Sequence, residues 1–249
     1  MSEKKVIVTD VDGVLLSWQS GLPYFAQKYN LPLNHILEMI QDDKFISPGK
    51  LFNCDDELAE KLIEKYNASD FIRYLAPYMD ALKQVNILKK EYEFIAVTAL
   101  GSSIDSRLNR QFNLNALFPG AFQDIYVCKH SASKEEAFRR VKEKYGDRIV
   151  MYIDDLAHHV DMASFVFGKD VDMYFMKRGE RDKEPVCDHK RASTWDDVVR
   201  QMVVKDRGKI IDNAYKDWID SLSKEIPVNR YWAREDSPLR AYYAPRIKD

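Results

Sequence analysis

Two carboxylates, Asp10 and Asp12, stand directly behind the apolar run Val6 to Thr9, with Gly13 after them and Trp18 a little further on. Alternate residues of an extended strand leave the same face, so strand geometry carried through this point brings both acids to one side. Like charges about 4 Å apart repel by roughly 1 kcal/mol in water, and by severalfold more where the effective dielectric is lower. A bound cation, a raised pKa on one partner, or plain exposure in a solvated turn would each relieve that repulsion. A second acidic pair, Asp154-Asp155, follows the apolar run Ile149 to Ile153, and Thr98 closes a third run that starts at Phe94. Three polar strand ends are therefore available to form one site.

The elements that must position them can be read from the pattern. Short apolar runs at Val6 to Thr9, Phe94 to Thr98, Asp124 to Cys128, Ile149 to Ile153 and Met173 to Met176 predict strands. Helical stretches separate them, at Tyr78 to Lys89, Ser103 to Phe112, Ser133 to Tyr145 and His158 to Phe167. This alternation predicts an α/β fold, a Rossmann-like and mostly parallel sheet with helices on both faces, whose ligands bind at the carboxyl ends of the strands. From about Trp18 to Leu75 the alternation fails: helical patterns at Gly21 to Tyr29, Leu33 to Gln41 and Asp55 to Tyr66 surround a Ser47-Pro48-Gly49 turn. The expected organisation is a core of residues 1–17 and 75–204, a small helical cap of residues 18–74 inserted after the first strand, and a C-terminal extension of residues 205–249. The extension carries an amphipathic helix pattern at Ile210 to Leu222 and an aromatic, basic stretch from Asn229 to Arg246.

Bulk properties narrow the function classes. A chain of 249 residues with 45% hydrophobic and 31% charged content is that of a globular domain with room for an insert. A formal net charge of −2 supplies no field for nucleic acid or for an anionic membrane surface. Three scattered cysteines, Cys54, Cys128 and Cys187, lack CxxC spacing and fit reduced thiols. With no signal-peptide pattern at the N-terminus and no long apolar run, the expected location is the cytoplasm. The Asn67-Ala68-Ser69 sequon is then a chance match.

Asp10-Val-Asp12-Gly-Val-Leu, the strand ending in Thr98, Lys134 at a helix start and the strand Met151-Tyr-Ile-Asp-Asp155 together resemble the four ordered motifs of the haloacid dehalogenase-like (HAD) phosphohydrolases. The resemblance covers roughly residues 5–16 and 75–200. It implies a Mg²⁺-dependent phosphomonoester hydrolase with Asp10 as nucleophile and Asp12 as general acid and then general base. It also implies Asp10, Asp154 and the Asp12 carbonyl as metal ligands, with Asp155 acting through water. Thr98, the Ala99 amide and Lys134 would hold the phosphoryl group, and Gly13 would let the backbone turn away beneath it. Lys129 is the alternative to Lys134; Ser133-Lys-Glu-Glu reads as a capped helix start with the lysine in its first turn. An EF-hand register counted from Asp10 places Leu15 and Gly21 where Gly and Glu are needed, and His158-His159 lacks HExxH spacing, so these two read as structural or rim residues.

The run Asp10 to Trp18 is similar to that of the 5'(3')-deoxyribonucleotidases within that superfamily, where an aromatic residue stacks on the base. The resemblance implies a small phosphorylated substrate, with a nucleoside monophosphate leading, bound in part by Trp18; packing in the cap hinge is the alternative for that side chain. For the extension, docking on the core competes with folding over the cap, a homodimer contact and a polyanion contact. Two further alternatives use the same fold: a binding or assembly protein without turnover, and a phosphotransferase.

Overall fold

The computed structural model describes residues 3–42, 46–130, 132–179 and 183–203. The extension, including the helix expected at Ile210 to Leu222, lies outside the described residues. In chain order the elements are β1 (Lys5–Thr9), α1 (Leu22–Tyr29), α2 (Asn34–Asp42), α3 (Pro48–Phe52), α4 (Asp56–Asn67), α5 (Met79–Leu88), β2 (Tyr92–Ala99) and α6 (Ile104–Leu117). They continue with β3 (Phe122–Cys128), α7 (Glu135–Tyr145), β4 (Ile149–Asp154), α8 (Ala157–Phe167), β5 (Asp172–Met176), β6 (Lys190–Ala192) and α9 (Trp195–Val203).

The six strands form one parallel sheet in the order β3-β2-β1-β4-β5-β6. The first strand is central, and its Val6 to Thr9 are buried on both faces, which is why the run is continuously apolar instead of alternating. Val6 and Val8 share one face with Ile95 and Val97 and pack against Phe138 of α7 and Val160 of α8. On the opposite face Phe94 meets Trp195 of α9, with ring centroids 6.2 Å apart. Chain order reverses at β1, with β2 on one side and β4 on the other, so a crevice opens at their carboxyl ends. Asp10 follows the first of these strands and Asp154 ends the other.

Helices α1 to α4 fill the long connection between β1 and α5 and have a small aromatic core of their own. The Phe25 ring lies 4.8 Å from Tyr29, 5.3 Å from Tyr66, 6.2 Å from Phe71 and 6.4 Å from Phe52. Both chain connections to this group are fastened together at the strand ends: the Ser17 amide donates to the Ala76 carbonyl at 2.9 Å and the Tyr78 amide to the Leu15 carbonyl at 3.0 Å. Ser47-Pro48-Gly49, expected as a turn, opens the short helix α3 with proline in its first turn, where the missing N–H costs nothing. Asn67 of the Asn67-Ala68-Ser69 sequon is buried and accepts a hydrogen bond from Trp18, and all three cysteines are free. Among the described residues no helix is long and apolar enough to cross a membrane.

Candidate active site

The backbone behind β1 sets up the site. The Asp10 amide donates to the Ile153 carbonyl at 2.8 Å, which ties it to β4 at the crevice. The chain then turns tightly: the amides of Leu15 and Leu16 both donate to the Val11 carbonyl, at 2.8 and 2.9 Å. Gly13 adopts a left-handed φ of +79°, and a Cβ there would lie 2.3 Å from the Asp155 carboxylate. Glycine is required at this position both by its conformation and by the approach of an acid from β4's end. From the other side, Trp195 Nε1 donates to the Val14 carbonyl at 3.2 Å and Arg178 reaches the same oxygen at 3.3 Å.

Lys134 occupies the middle of the acidic group. Its Nζ donates to Asp10 Oδ1 at 2.7 Å and to Asp154 Oδ2 at 2.8 Å, and all three side chains are buried. The residue is the N-cap of α7, one position before the first turn in which it was expected, because Ser133 Oγ accepts from the Glu135 amide instead. Lys129 is exposed. Burial disfavours the charge on Lys134, but Asp10 and Asp154 outweigh it and hold the ammonium above its usual range.

The acids respond in opposite directions. Burial pushes the Asp10 carboxyl well above its ordinary value, with the charges of Asp154, Asp155 and Asp12 adding to the effect and Lys134 opposing it. Burial acts the same way on Asp154, yet Lys134 and His159 outweigh it and hold that carboxyl below the usual range. Asp154 is also the better supplied with donors. Besides Lys134 it accepts from the Leu156 amide at 2.8 Å and from the Tyr152 hydroxyl, and His159 Nδ1 stands 3.3 Å away. Side-chain oxygens of Asp10, Asp154 and Asp155 all lie within 4.8 Å of one another. Buried carboxylate oxygens so close suit a hard divalent cation, and the donor set, all oxygen with no thiolate, fits Mg²⁺ better than a soft metal.

Thr98 lies on β2, two residues beyond Ala96, the partner of Thr9, so it stands at the same edge of the sheet. Its side chain is fully buried and its hydroxyl has no partner among the described residues. A buried orphan hydroxyl is costly unless something visits it. Ala99 closes the strand, with His130 Nδ1 3.4 Å from its carbonyl oxygen. Trp18 is held in the connection between β1 and α1: its Nε1 donates to Asn67 at 2.8 Å, its carbonyl accepts from the Tyr66 hydroxyl at 2.6 Å, and its ring meets Tyr66 edge-on at 5.0 Å.

The structure thus brings Asp10, Lys134, Asp154 and Asp155 into one buried cluster and places Asp12, Gly13 and Thr98 beside it at the strand ends. Sequence reasoning missed Arg110, whose Nη2 donates to both oxygens of Asp12 at 2.7 and 2.6 Å from a fully buried position. It also missed Tyr152 and read His159 only as structural or rim. The signal for Arg110 in the sequence is a polar stripe, Ser106, Asn109, Arg110 and Asn113, at the i, i+3, i+4, i+7 spacing of one helix face.

No family model matches the sequence. A protein of Enterobacteria phage T4, described as an uncharacterized 32.4 kDa protein in the Gp30-rIII intergenic region, is 60% identical over 234 residues, covering 92% of this chain and 82% of that protein. Among solved structures, the magnesium-bound HAD-hydrolase YfnB from Bacillus subtilis matches 81% of this chain and 100% of its own with a TM-score of 0.56 and 14% identity. The L-2-haloacid dehalogenase PA0810 matches the same shares with a TM-score of 0.50 and 16% identity. The fold of this chain is therefore the HAD fold, and by its sequence identity the chain belongs to the family of the phage T4 protein.

Proposed function

We propose that this chain is a Mg²⁺-dependent phosphomonoester hydrolase that works through an aspartyl-phosphate on Asp10. The observation that carries the reading is the buried Asp10–Lys134–Asp154 cluster, with the Thr98 hydroxyl left without a partner at the same sheet edge. Asp10, Asp154 and the Asp12 carbonyl would hold the metal, with Asp155 acting through water; the ion supplies positive charge against the phosphoryl oxygens and the nucleophile. An Asp10 oxygen attacks phosphorus and the bond to the leaving oxygen breaks, while Asp12 gives that oxygen a proton. Asp12 then takes a proton from water, which attacks phosphorus and frees Asp10 and inorganic phosphate. Lys134 favours the ionised form of Asp10 that attacks, against the burial that opposes it. The Lys134 charge and the Thr98 hydroxyl take up charge on the phosphoryl oxygens, with the Ala99 amide beside them and the left-handed turn at Gly13 making room for Asp155.

A dehalogenase with this fold expels halide and needs no proton donor, so Asp12, held by a dedicated arginine, favours phosphoryl chemistry. A nucleoside monophosphate is the leading substrate. Trp18 is oriented by Asn67 and Tyr66, and base stacking on such a ring contributes about 1–3 kcal/mol. The test is phosphate release from nucleotide and sugar monoesters, with halide release from 2-chloropropionate as a control, in Mg²⁺ and in EDTA. The expected result is Mg²⁺-dependent phosphate release that Asp10→Asn abolishes, with nucleotides preferred and that preference weakened by Trp18→Ala. Halide release, or phosphate release that survives Asp10→Asn, overturns the proposal.

A further inference from the structure

Helix α6 is built inside out. Ser106, Asn109, Arg110 and Asn113 face inward and are buried together with a single apolar residue, Leu114, while Ile104, Leu108 and Phe112 are exposed. Surface helices normally hide the apolar stripe, so this helix answers to another requirement. Two of its inward residues fasten the returning cap connection. Asn109 donates to the carbonyls of Ala68 and Ser69, at 3.1 and 2.9 Å, and accepts from Arg73 Nε at 2.6 Å; Asn113 donates to the carbonyls of Arg73 and Leu75, at 3.0 and 3.3 Å.

Arg110 turns the other way, to Asp12. Its side chain is 0% exposed, whereas that of Asp12 is 21% exposed, so the pair runs from the interior to the open side of the site. One nitrogen, Nη2, contacts both carboxylate oxygens, while Nε and Nη1 have no partner among the described residues. A guanidinium buried with most of its donors unused is a poor way to fill space. What it does satisfy is the orientation of Asp12.

We propose that Arg110 is a positioning residue for Asp12, an inference that rests on the phosphohydrolase reading above. By binding both carboxylate oxygens it fixes the rotamer in which Asp12 meets the leaving-group oxygen. A guanidinium does not titrate at working pH, so it can hold Asp12 without competing for the proton that Asp12 moves. Asn109 and Asn113 bind the cap connection from the same helix face, so α6 sets the acid and the cap hinge against one frame.

The test compares kcat/KM of the full chain on two esters. p-Nitrophenyl phosphate has a leaving group that needs no proton; an alkyl phosphomonoester has one that does. Proton transfer by a placed side chain is worth about 10²–10⁴-fold, so Arg110→Met is expected to lower kcat/KM on the alkyl ester by about 10²-fold while leaving the aryl ester within a few-fold. Arg110→Lys, which can still donate to Asp12, should recover part of the loss; if Arg110→Met does not fold, as judged by circular dichroism and melting, the lysine variant carries the same comparison with a smaller effect. In an Asp12→Asn background either change at Arg110 should add nothing, because the residue acts through Asp12. Equal loss on both esters, or losses that multiply in the Asp12→Asn background, would overturn the proposal. Wild-type protein without turnover of either ester would instead remove the phosphohydrolase reading, and this inference with it.

Discussion

Replacing Lys134 by methionine removes the cation that two buried carboxylates share. Its Nζ lies 2.7 Å from Asp10 and 2.8 Å from Asp154, and the lysine is 1% exposed. Breaking a buried ion pair from one side costs about 3–5 kcal/mol. At roughly 2–4 °C per kcal/mol for a domain of this size, the variant should melt about 6–20 °C below wild type in EDTA. Mg²⁺ bound only to the folded state adds about 2.7 kcal/mol at a hundred times its Kd. The ion would take over part of the work of the lysine, so the increment should be larger in the variant than in wild type.

The pH dependence of this effect has a definite sign. Asp10 is held above its unfolded value of about 3.9, so its contribution to stability is present below that value and is lost as pH rises through the folded one. Asp154 is depressed, so its contribution is complete above about pH 4 and leaves the decline due to Asp10 visible. In metal-free protein the contribution of Asp10 should therefore decline as pH rises from about 4, more steeply in Lys134→Met, and Mg²⁺ should flatten that decline. Calorimetric melts in EDTA and in saturating Mg²⁺ across this range measure both effects. A variant that melts within a degree or two of wild type in EDTA, or gains no more from Mg²⁺, would refute the reasoning.

Three further outcomes follow from the same geometry. Thr98→Val removes a hydroxyl without a partner, so melting should stay level or rise while kcat falls by about 10²-fold, as for loss of one preorganised donor; a fall in stability would mean that the hydroxyl is bonded within the fold. Gly13→Ala forces a left-handed alanine, at about 1–2 kcal/mol, and drives Asp155 from its place, so Mg²⁺ titration should show weaker binding along with a lower melting temperature. Asp124 accepts from Lys144 at 2.6 Å, Tyr145 at 2.7 Å and Tyr126 at 3.3 Å, and these bonds outweigh burial and hold its carboxyl below the ordinary value. Its contribution is full above the unfolded value and is lost as pH falls, so the advantage of wild type over Asp124→Asn, under about 1 kcal/mol, should be present in melts at pH 7 and vanish in strong acid.

Much of the architecture was legible because a buried parallel sheet writes continuous apolar runs: β1 to β5 each begin and end within two residues of the patterns that announce them. The last strand, Lys190–Ala192, escaped because a three-residue edge strand of Lys-Arg-Ala buries too little to leave such a run. Helix α9 was overlooked although Trp195, Val198, Val199 and Met202 recur at helical spacing and its cap is written beside them: Thr194 Oγ1 accepts from the Asp197 amide at 3.1 Å and Asp197 accepts from the Thr194 amide at 3.0 Å. Within the site, Asp10, Asp12, Thr98 and Asp154 were nominated by their strand ends, and Lys134 by the family resemblance, with its helix start deciding against Lys129. Arg110 was not, because it lies mid-helix on a buried face that is mostly polar, which apolar periodicity does not mark.

The most direct measurement of the central claim needs no knowledge of the substrate. Beryllofluoride mimics a phosphoryl group on an aspartate, and its ¹⁹F resonance reports the adduct. With Mg²⁺ present, wild-type protein should show a bound resonance that disappears in EDTA and in Asp10→Asn, and it should survive Asp12→Asn, which leaves the nucleophile in place. No bound resonance, or one that persists in Asp10→Asn, would contradict the assignment of Asp10 as the residue that takes the phosphoryl group.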